Sequence, residues 1–160
     1  MRFRLSTLMF RGTNPTSVDA KGRLGLPVRL REQIQKVSGT DVVVTIDVED
    51  RCLLLYPQST WDALQEKLQA LANIGSGARL IQRLLIGHAT DVQIDGNGRI
   101  LLPSLLREFA NVEKNAILVG QGNKVEIWSE PTWRAQRDLW LTTQKDELAR
   151  ANEAVRDISV

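Results

Sequence analysis

Two aspartate–arginine pairs carry the chemistry this chain offers. Asp19 precedes Arg23 by four positions, and Asp95 precedes Arg99 by four. The intervening residues are Ala20-Lys21-Gly22 in the first case and Gly96-Asn97-Gly98 in the second. Across a three-residue hairpin loop, a carboxylate can accept from loop amides and still face the guanidinium that closes the loop. An arginine has more donors than one carboxylate can use, so its free edge can reach a phosphate or the edge of guanine. The glycine in each loop takes positive φ without steric cost and lets the backbone approach a ligand closely. Arg23 and Arg99 are therefore candidate nucleic-acid contacts, with Lys21 and Arg11 as candidate phosphate contacts. Asp19, Gly22, Asp95 and Gly98 are the residues that orient them. A plain ion pair with turn capping is the competing reading, and spacing alone leaves it open.

Other chemistries find less support. A proton shared by Asp19 and Asp95 across a twofold is disfavoured, because their neighbours do not match the aspartic-protease triplets. A salt-bridging arginine would also keep each carboxylate charged. His88 is the only histidine and Cys52 the only cysteine, and neither sits in a zinc-ligand spacing. Cys52 lies in the apolar run Cys52-Leu53-Leu54-Leu55 and reads as a core residue; His88 follows a helix and reads as a helix-end residue. No phosphate loop or dinucleotide fingerprint occurs. The expectation is no catalytic residue, no metal, no cofactor and no small-molecule substrate. Trp61, Trp128, Trp133 and Trp140 stand at strand ends, at helix starts or on a helical stripe, and read as packing anchors rather than base-stacking platforms.

The elements that must position the pairs come in two copies. Residues 18–27 and 94–103 share apolar, Asp, two spacers, Gly, Arg, apolar, spacer, apolar, Pro, at an offset of 76. Arg31-Glu32 follows the first copy and Arg107-Glu108 the second. Further on, residues 53–61 answer to 125–133 at an offset of 72, which places a loss of four residues between the central strands of the second copy. Each unit reads as strand, tight turn, strand, short helix, two strands, longer helix. Leu24 and Leu26, like Ile100 and Leu102, alternate with their neighbours as one face of a strand. Pro27 and Pro103 suit the first turn of a helix. Residues 42–46 form a β-branched run and 52–56 its returning partner. A helix then carries Trp61, Leu64, Leu68 and Leu71 on one stripe. In the second unit, residues 117–119 and 124–128 make the matching hairpin, Phe109 packs beneath the short helix, and a last helix opens near 129–131 with Trp133, Trp140 and Leu141.

Residues 73–77 form the joint between units, and a helix over 78–86 follows, with Leu80, Ile81, Leu84 and Leu85 expected to face a core. The expected organisation is an extension over residues 1–8, a first repeat over 9–74, a connecting helix over 75–89, a second repeat over 90–143, and a partly mobile tail over 144–160.

Hydrophobic content of 42% and charged content of 25% in 160 residues fit a globular fold, with no apolar stretch long enough to span a bilayer. The lone cysteine fits a reducing cytoplasm. Net charge is only +2, but residues 1–36 hold eight basic against two acidic residues, whereas residues 40–72 hold two against six. Positive charge gathered around the first loop suits a polyanion.

Met9-Phe10-Arg11-Gly12, Asp19 to Leu24, Leu54-Leu55-Tyr56-Pro57, Arg83 to Ala89 and Asp95 to Ile100, taken in order, resemble the MraZ family of bacterial transcriptional regulators. The resemblance covers nearly the whole chain from Met9. It implies an α+β fold of tandem AbrB-like, swapped-hairpin, double-psi-like β-barrel halves with flanking helices. It also implies a ring-shaped homo-oligomer binding double-stranded DNA at short direct repeats upstream of the division and cell-wall gene cluster, in the cytoplasm and on the nucleoid. The family starts at the counterpart of Met9, hence the reading of residues 1–8 as an extension. Loop two lacks a counterpart of Lys21, so the first hairpin is expected to make more of the phosphate contact. The alternative is a ring-forming scaffold or antitoxin-like module that holds a protein partner on the helices carrying Trp61 and Trp133.

Overall fold

A computed structural model of the chain describes residues 8–71 and 75–158. The first unit runs β1 (Thr13–Ser17), β2 (Arg23–Gly25), α1 (Val28–Ser38), β3 (Asp41–Ile46), β4 (Leu53–Pro57) and α2 (Gln58–Ala70). Helix α3 (Ser76–His88) follows. The second unit runs β5 (Thr90–Gln93), β6 (Arg99–Leu101), α4 (Ser104–Ala110), β7 (Asn115–Gly120), β8 (Val125–Ser129) and α5 (Glu130–Thr142). The chain closes with α6 (Lys145–Val155) and a 3₁₀ turn, Arg156–Ile158. The prolines fall where their missing amide costs nothing: Pro27, Pro57 and Pro103 each precede a helix.

The strands pair across the units. A six-stranded antiparallel sheet has the order β1-β7-β8-β4-β3-β5, and a second sheet consists of β2 and β6 alone. Thus β1 of the first unit completes the hairpin of the second, and β5 of the second completes the hairpin of the first. The registers obey an internal twofold. In the small sheet Leu24 stands opposite its own counterpart Ile100. In the large one Leu54 stands opposite its counterpart Glu126. Both sheets are open, with β1 and β5 at the edges of the larger one, so no closed barrel forms among the described residues.

Alternation along the strands divides the core. Leu24, Ile34, Val44, Leu55, Ile100, Leu106, Leu118 and Ile127 join one cluster drawn from both units. On the opposite face Val43, Leu54 and Tyr56 pack under Trp61 and Leu68 of α2. Cys52, Ile117, Val119 and Trp128 form a third cluster against Trp133 and Trp140 of α5. Trp128 meets these two tryptophans edge-on at centroid distances of 5.5 and 5.9 Å, a favoured aromatic geometry. The tryptophans are packing anchors, and Cys52 is fully buried, its thiol pushed up by desolvation. His88 sits at the end of α3 with Nδ1 2.8 Å from the Leu84 carbonyl. Phe109 is half-buried against the shared core, with the Arg51 guanidinium 4.7 Å from its ring centre.

Two expectations are corrected. Leu80, Ile81 and Leu84 do not face a core: they are 58%, 40% and 39% exposed. Helix α3 is apolar on more than one side, and the sheet takes the stripe Gln82, Leu85, Ile86, Ala89. That stripe is held where the Thr45 hydroxyl donates to the Leu85 carbonyl at 2.7 Å and the Gln82 amide donates to the Leu68 carbonyl at 2.6 Å. The four missing residues of the second unit do not all come from its hairpin turn. Helix α4 has seven residues against eleven in α1 and the link after it has four against two, so two are lost before β7 and two in the turn between β7 and β8. Helix α6 falls within the expected tail and opens with Asp146 and Glu147 in its first turn, where acids complement the helix dipole. Of the expected joint over 73–77, residues 73 and 74 lie outside the described part, as do residues 1–7 of the expected extension.

Glu126 departs from the twofold, an acid where its counterpart is Leu54. Burial, opposed by a 2.9 Å hydrogen bond from Trp128 Nε1 and reinforced by Asp47 and Asp50, pushes its carboxyl above the ordinary value. A raised folded-state pKa means that stability falls as pH rises from the unfolded value through the folded one, and the deficit is complete above the folded value. Glu126→Gln keeps an acceptor for Trp128 and removes the charge. It should raise the melting temperature at pH 7, by about 2–4 °C for each kcal/mol relieved, with the gain shrinking toward pH 4 in calorimetry.

Candidate nucleic-acid interface

Each candidate pair sits on a hairpin that its own sequence builds. Asp19 accepts through Oδ1 from the amides of Lys21 and Arg23, both at 2.9 Å. Asp95 does the same for Asn97 and Arg99, at 2.8 and 3.0 Å. The backbone closes each loop with the Gly22 amide on the Asp19 carbonyl and the Gly98 amide on the Asp95 carbonyl, both 3.0 Å. Gly22 has φ +89° and Gly98 +75°, as the last residue of a three-residue loop with a glycine bulge requires. One carboxylate oxygen is thus spent on the loop, and the other turns to the arginines.

The β2–β6 pairing then brings the two loops together. Asp19 Oδ2 lies 3.7 Å from Arg23 Nη1 and 3.3 Å from Arg99 Nη1. Asp95 Oδ2 lies 3.6 Å from Arg99 Nε. What the sequence presents as two local pairs is one cluster of four charges. It faces solvent, with the side chains of Arg23 and Arg99 36% and 33% exposed. Nε of Arg99 is enclosed and meets no hydrogen-bond acceptor among the described residues.

Both aspartates are held below the ordinary carboxylate range. For each, the amide of its own arginine is the largest cause, partly offset by desolvation. The second loop amide and the charges of Arg23 and Arg99 add to the lowering. Stabilisation of both carboxylates as anions opposes the shared proton that the dyad chemistry of an acid protease needs. Among the described residues no group of histidines, cysteines and acids is arranged to hold a metal.

Lys21 is exposed at the tip of the first loop and Asn97 at the equivalent place in the second. Arg11 does not join the cluster. It precedes β1, at the end of the sheet where Phe10 pairs with Gly122, and β1 separates it from Asp19. At the rise of an extended strand that separation is roughly 25 Å.

Two residues of the site escaped sequence reasoning. Arg31 of α1 lays its guanidinium against Gly98, and Arg107 of α4 lays its guanidinium against Gly22. Each reaches the loop of the other unit. The sequence signal was present in the duplicated Arg-Glu that follows each motif, but spacing does not say that the arginine crosses over.

Comparison with known proteins agrees with the duplication. Residues 9–84 and 85–153 each match the model of a family described as "MraZ protein, putative antitoxin-like". A protein of Marinomonas sp. (strain MWYL1) named transcriptional regulator MraZ is 51% identical over 152 residues, covering 95% of this chain and 100% of the relative. The protein of the same name from Hydrogenovibrio crunogenus is 53% identical over 134 residues, covering 84% and 88%. That from Legionella pneumophila (strain Corby) is 48% identical over 136 residues, covering 85% and 90%.

The loop geometry sets unequal costs for two similar changes. At Gly98 a Cβ would need left-handed φ and would lie 2.5 Å from Arg31 Cζ, whereas at Gly96 it meets nothing within 4 Å. Gly98→Ala should cost about 1–3 kcal/mol, and Gly96→Ala should stay within about 0.5 kcal/mol of the parent. Denaturant unfolding of the two variants measures both.

Proposed function

The chain belongs to the MraZ family, and on that premise we propose that it is a sequence-specific DNA-binding regulator of transcription rather than an enzyme. The observation that carries this reading is the convergence of Arg23 and Arg99 in one solvent-facing cluster. Both arginines spring from rigid hairpins and are oriented by carboxylates whose other oxygen is fixed by the loop. A guanidinium that is partly neutralised and prepaid in orientation loses less freedom when it meets a phosphate or a guanine edge. Lys21 adds a charge at the tip of the first loop, which makes that loop the stronger phosphate contact. Arg11, at the other end of β1, contributes a separate phosphate contact only if DNA runs along that edge.

In this reading the crosswise pairing of β1, β2, β5 and β6 is the swapped-hairpin arrangement, with halves over 9–74 and 90–143 bridged by 75–89. Copies assemble into a ring that binds direct repeats upstream of the division and cell-wall genes, in the cytoplasm and on the nucleoid. Identical loops then act together, each adding a weak contact through effective concentration, provided the DNA bends or the ring opens. The exposed stripe Leu80, Ile81 and Leu84 of α3 suits contact between copies. A partner-holding module on α2 and α5 is less well supported, because Trp61 and Trp133 turn inward to cover the sheet.

The test is a gel shift with duplex DNA from the protein's own upstream region. Arg23→Ala and Arg99→Ala should each weaken binding by about 1–3 kcal/mol while leaving the oligomer unchanged in sedimentation. Wild-type affinity in both variants would defeat the proposal. Binding should also fall steeply between low and moderate salt, because each phosphate contact releases counterions.

A further inference from the structure

Arg31 and Arg107 take no part in the charge cluster, and among the described residues neither is within ion-pair distance of a carboxylate. Glu32 and Glu108, which follow them in sequence, are exposed and do not neutralise them. Both arginines are nevertheless only half-exposed and tightly placed. Arg31 Nε donates to the Leu26 carbonyl at 3.0 Å, and Arg107 Nε donates to the Leu102 carbonyl at 3.2 Å. The same two residues reach the opposite loop through their amides: Leu26 donates to the Gly98 carbonyl and Leu102 to the Gly22 carbonyl, both at 2.9 Å.

Each arginine therefore closes a short circuit. Its side chain grips a backbone carbonyl of its own unit, that residue's amide grips the glycine of the other unit's loop, and the flat guanidinium lies on that glycine. The fit leaves no room for a side chain: a Cβ would stand 2.9 Å from Arg107 Cζ at Gly22 and 2.5 Å from Arg31 Cζ at Gly98. A lysine offers neither the plane nor the fixed Nε donor. The arrangement occurs twice, related by the twofold, and in both copies the glycine is followed directly by Arg23 or Arg99.

We infer that Arg31 and Arg107 are positioning residues for DNA binding, each setting the loop of the opposite unit: Arg31 the loop that presents Arg99, and Arg107 the loop that presents Arg23. The inference rests on the proposal that Arg23 and Arg99 contact DNA. It adds that the two halves read DNA interdependently, since neither presents its arginine without a clamp from the other. It also gives the glycine of each motif a second reason: besides taking positive φ, it is the surface on which the clamp lies.

Fluorescence anisotropy with the same upstream duplex tests this, using the full-length oligomer, with thermal melts to confirm folding. Arg31→Ala should weaken binding about tenfold, the scale of a lost hydrogen bond to a charged group. Arg31→Lys, which keeps the charge, should not restore it. In double-mutant cycles, Arg31 should couple more strongly to Arg99 than to Arg23. If Arg31→Ala does not fold, the same cycles run with Arg31→Lys. Restored affinity in Arg31→Lys, or equal coupling of Arg31 to both arginines, overturns the inference. If Arg99→Ala weakens binding while Arg31→Ala and Arg31→Lys bind as the parent does, this inference alone fails. If the parent shows no DNA binding, the proposed function fails and takes this inference with it.

Discussion

The pairing of β2 with β6 is the contact on which the rest depends. Each strand is three residues long, too short to hold a hairpin in water on its own. Joined across the twofold, they bury Leu24 and Ile100 completely and put Arg23 and Arg99 on the opposite face. The large sheet follows the same rule, because the central hairpin of each unit gains its outer strand from the other. A unit of this size alone would leave backbone edges open and bury too little apolar surface. The duplication thus yields one folded body in which each half finishes the other.

That closure explains the electrostatics. Four charges meet in a small area, which costs desolvation unless donors and acceptors are matched. The aspartates are matched first by loop amides and only then by arginines, so the anions survive whether or not a guanidinium leaves. The arginines are held more loosely, at 3.3 to 3.7 Å. Exposed pairs at such distances contribute little to stability. The fold therefore does not need these arginines in place, which leaves them available to a polyanion.

Sequence reasoning reached what is local and repeated. The Asp-to-Arg spacing, the loop glycines and the alternation of Leu24 and Leu26 each specify a hairpin within a few residues. The prolines mark helix starts for the same reason. What crosses between units was beyond reach, because no local pattern states that β1 pairs with β7 or that Arg31 meets Gly98. Helix α3 misled because it offers two apolar stripes and periodicity cannot choose between them; the Thr45 hydroxyl on the Leu85 carbonyl makes the choice. Helix α6 was missed because few large apolar residues mark it, although its Ala, Glu and Arg content favours helix without them.

The crosswise pairing also orders events during synthesis. Strand β1 is made first, yet its partner β7 begins at Asn115. Strand β2 waits for β6, which begins at Arg99. Until most of the chain has emerged, the first unit carries a hairpin without its edge and an edge without its hairpin. Such long-range pairing slows folding, because loop closure must precede the contacts that reward it. In that interval β1 and the β3–β4 hairpin are open to strands from other chains. A second copy, emerging nearby, offers the same complementary strands as the unfinished half does.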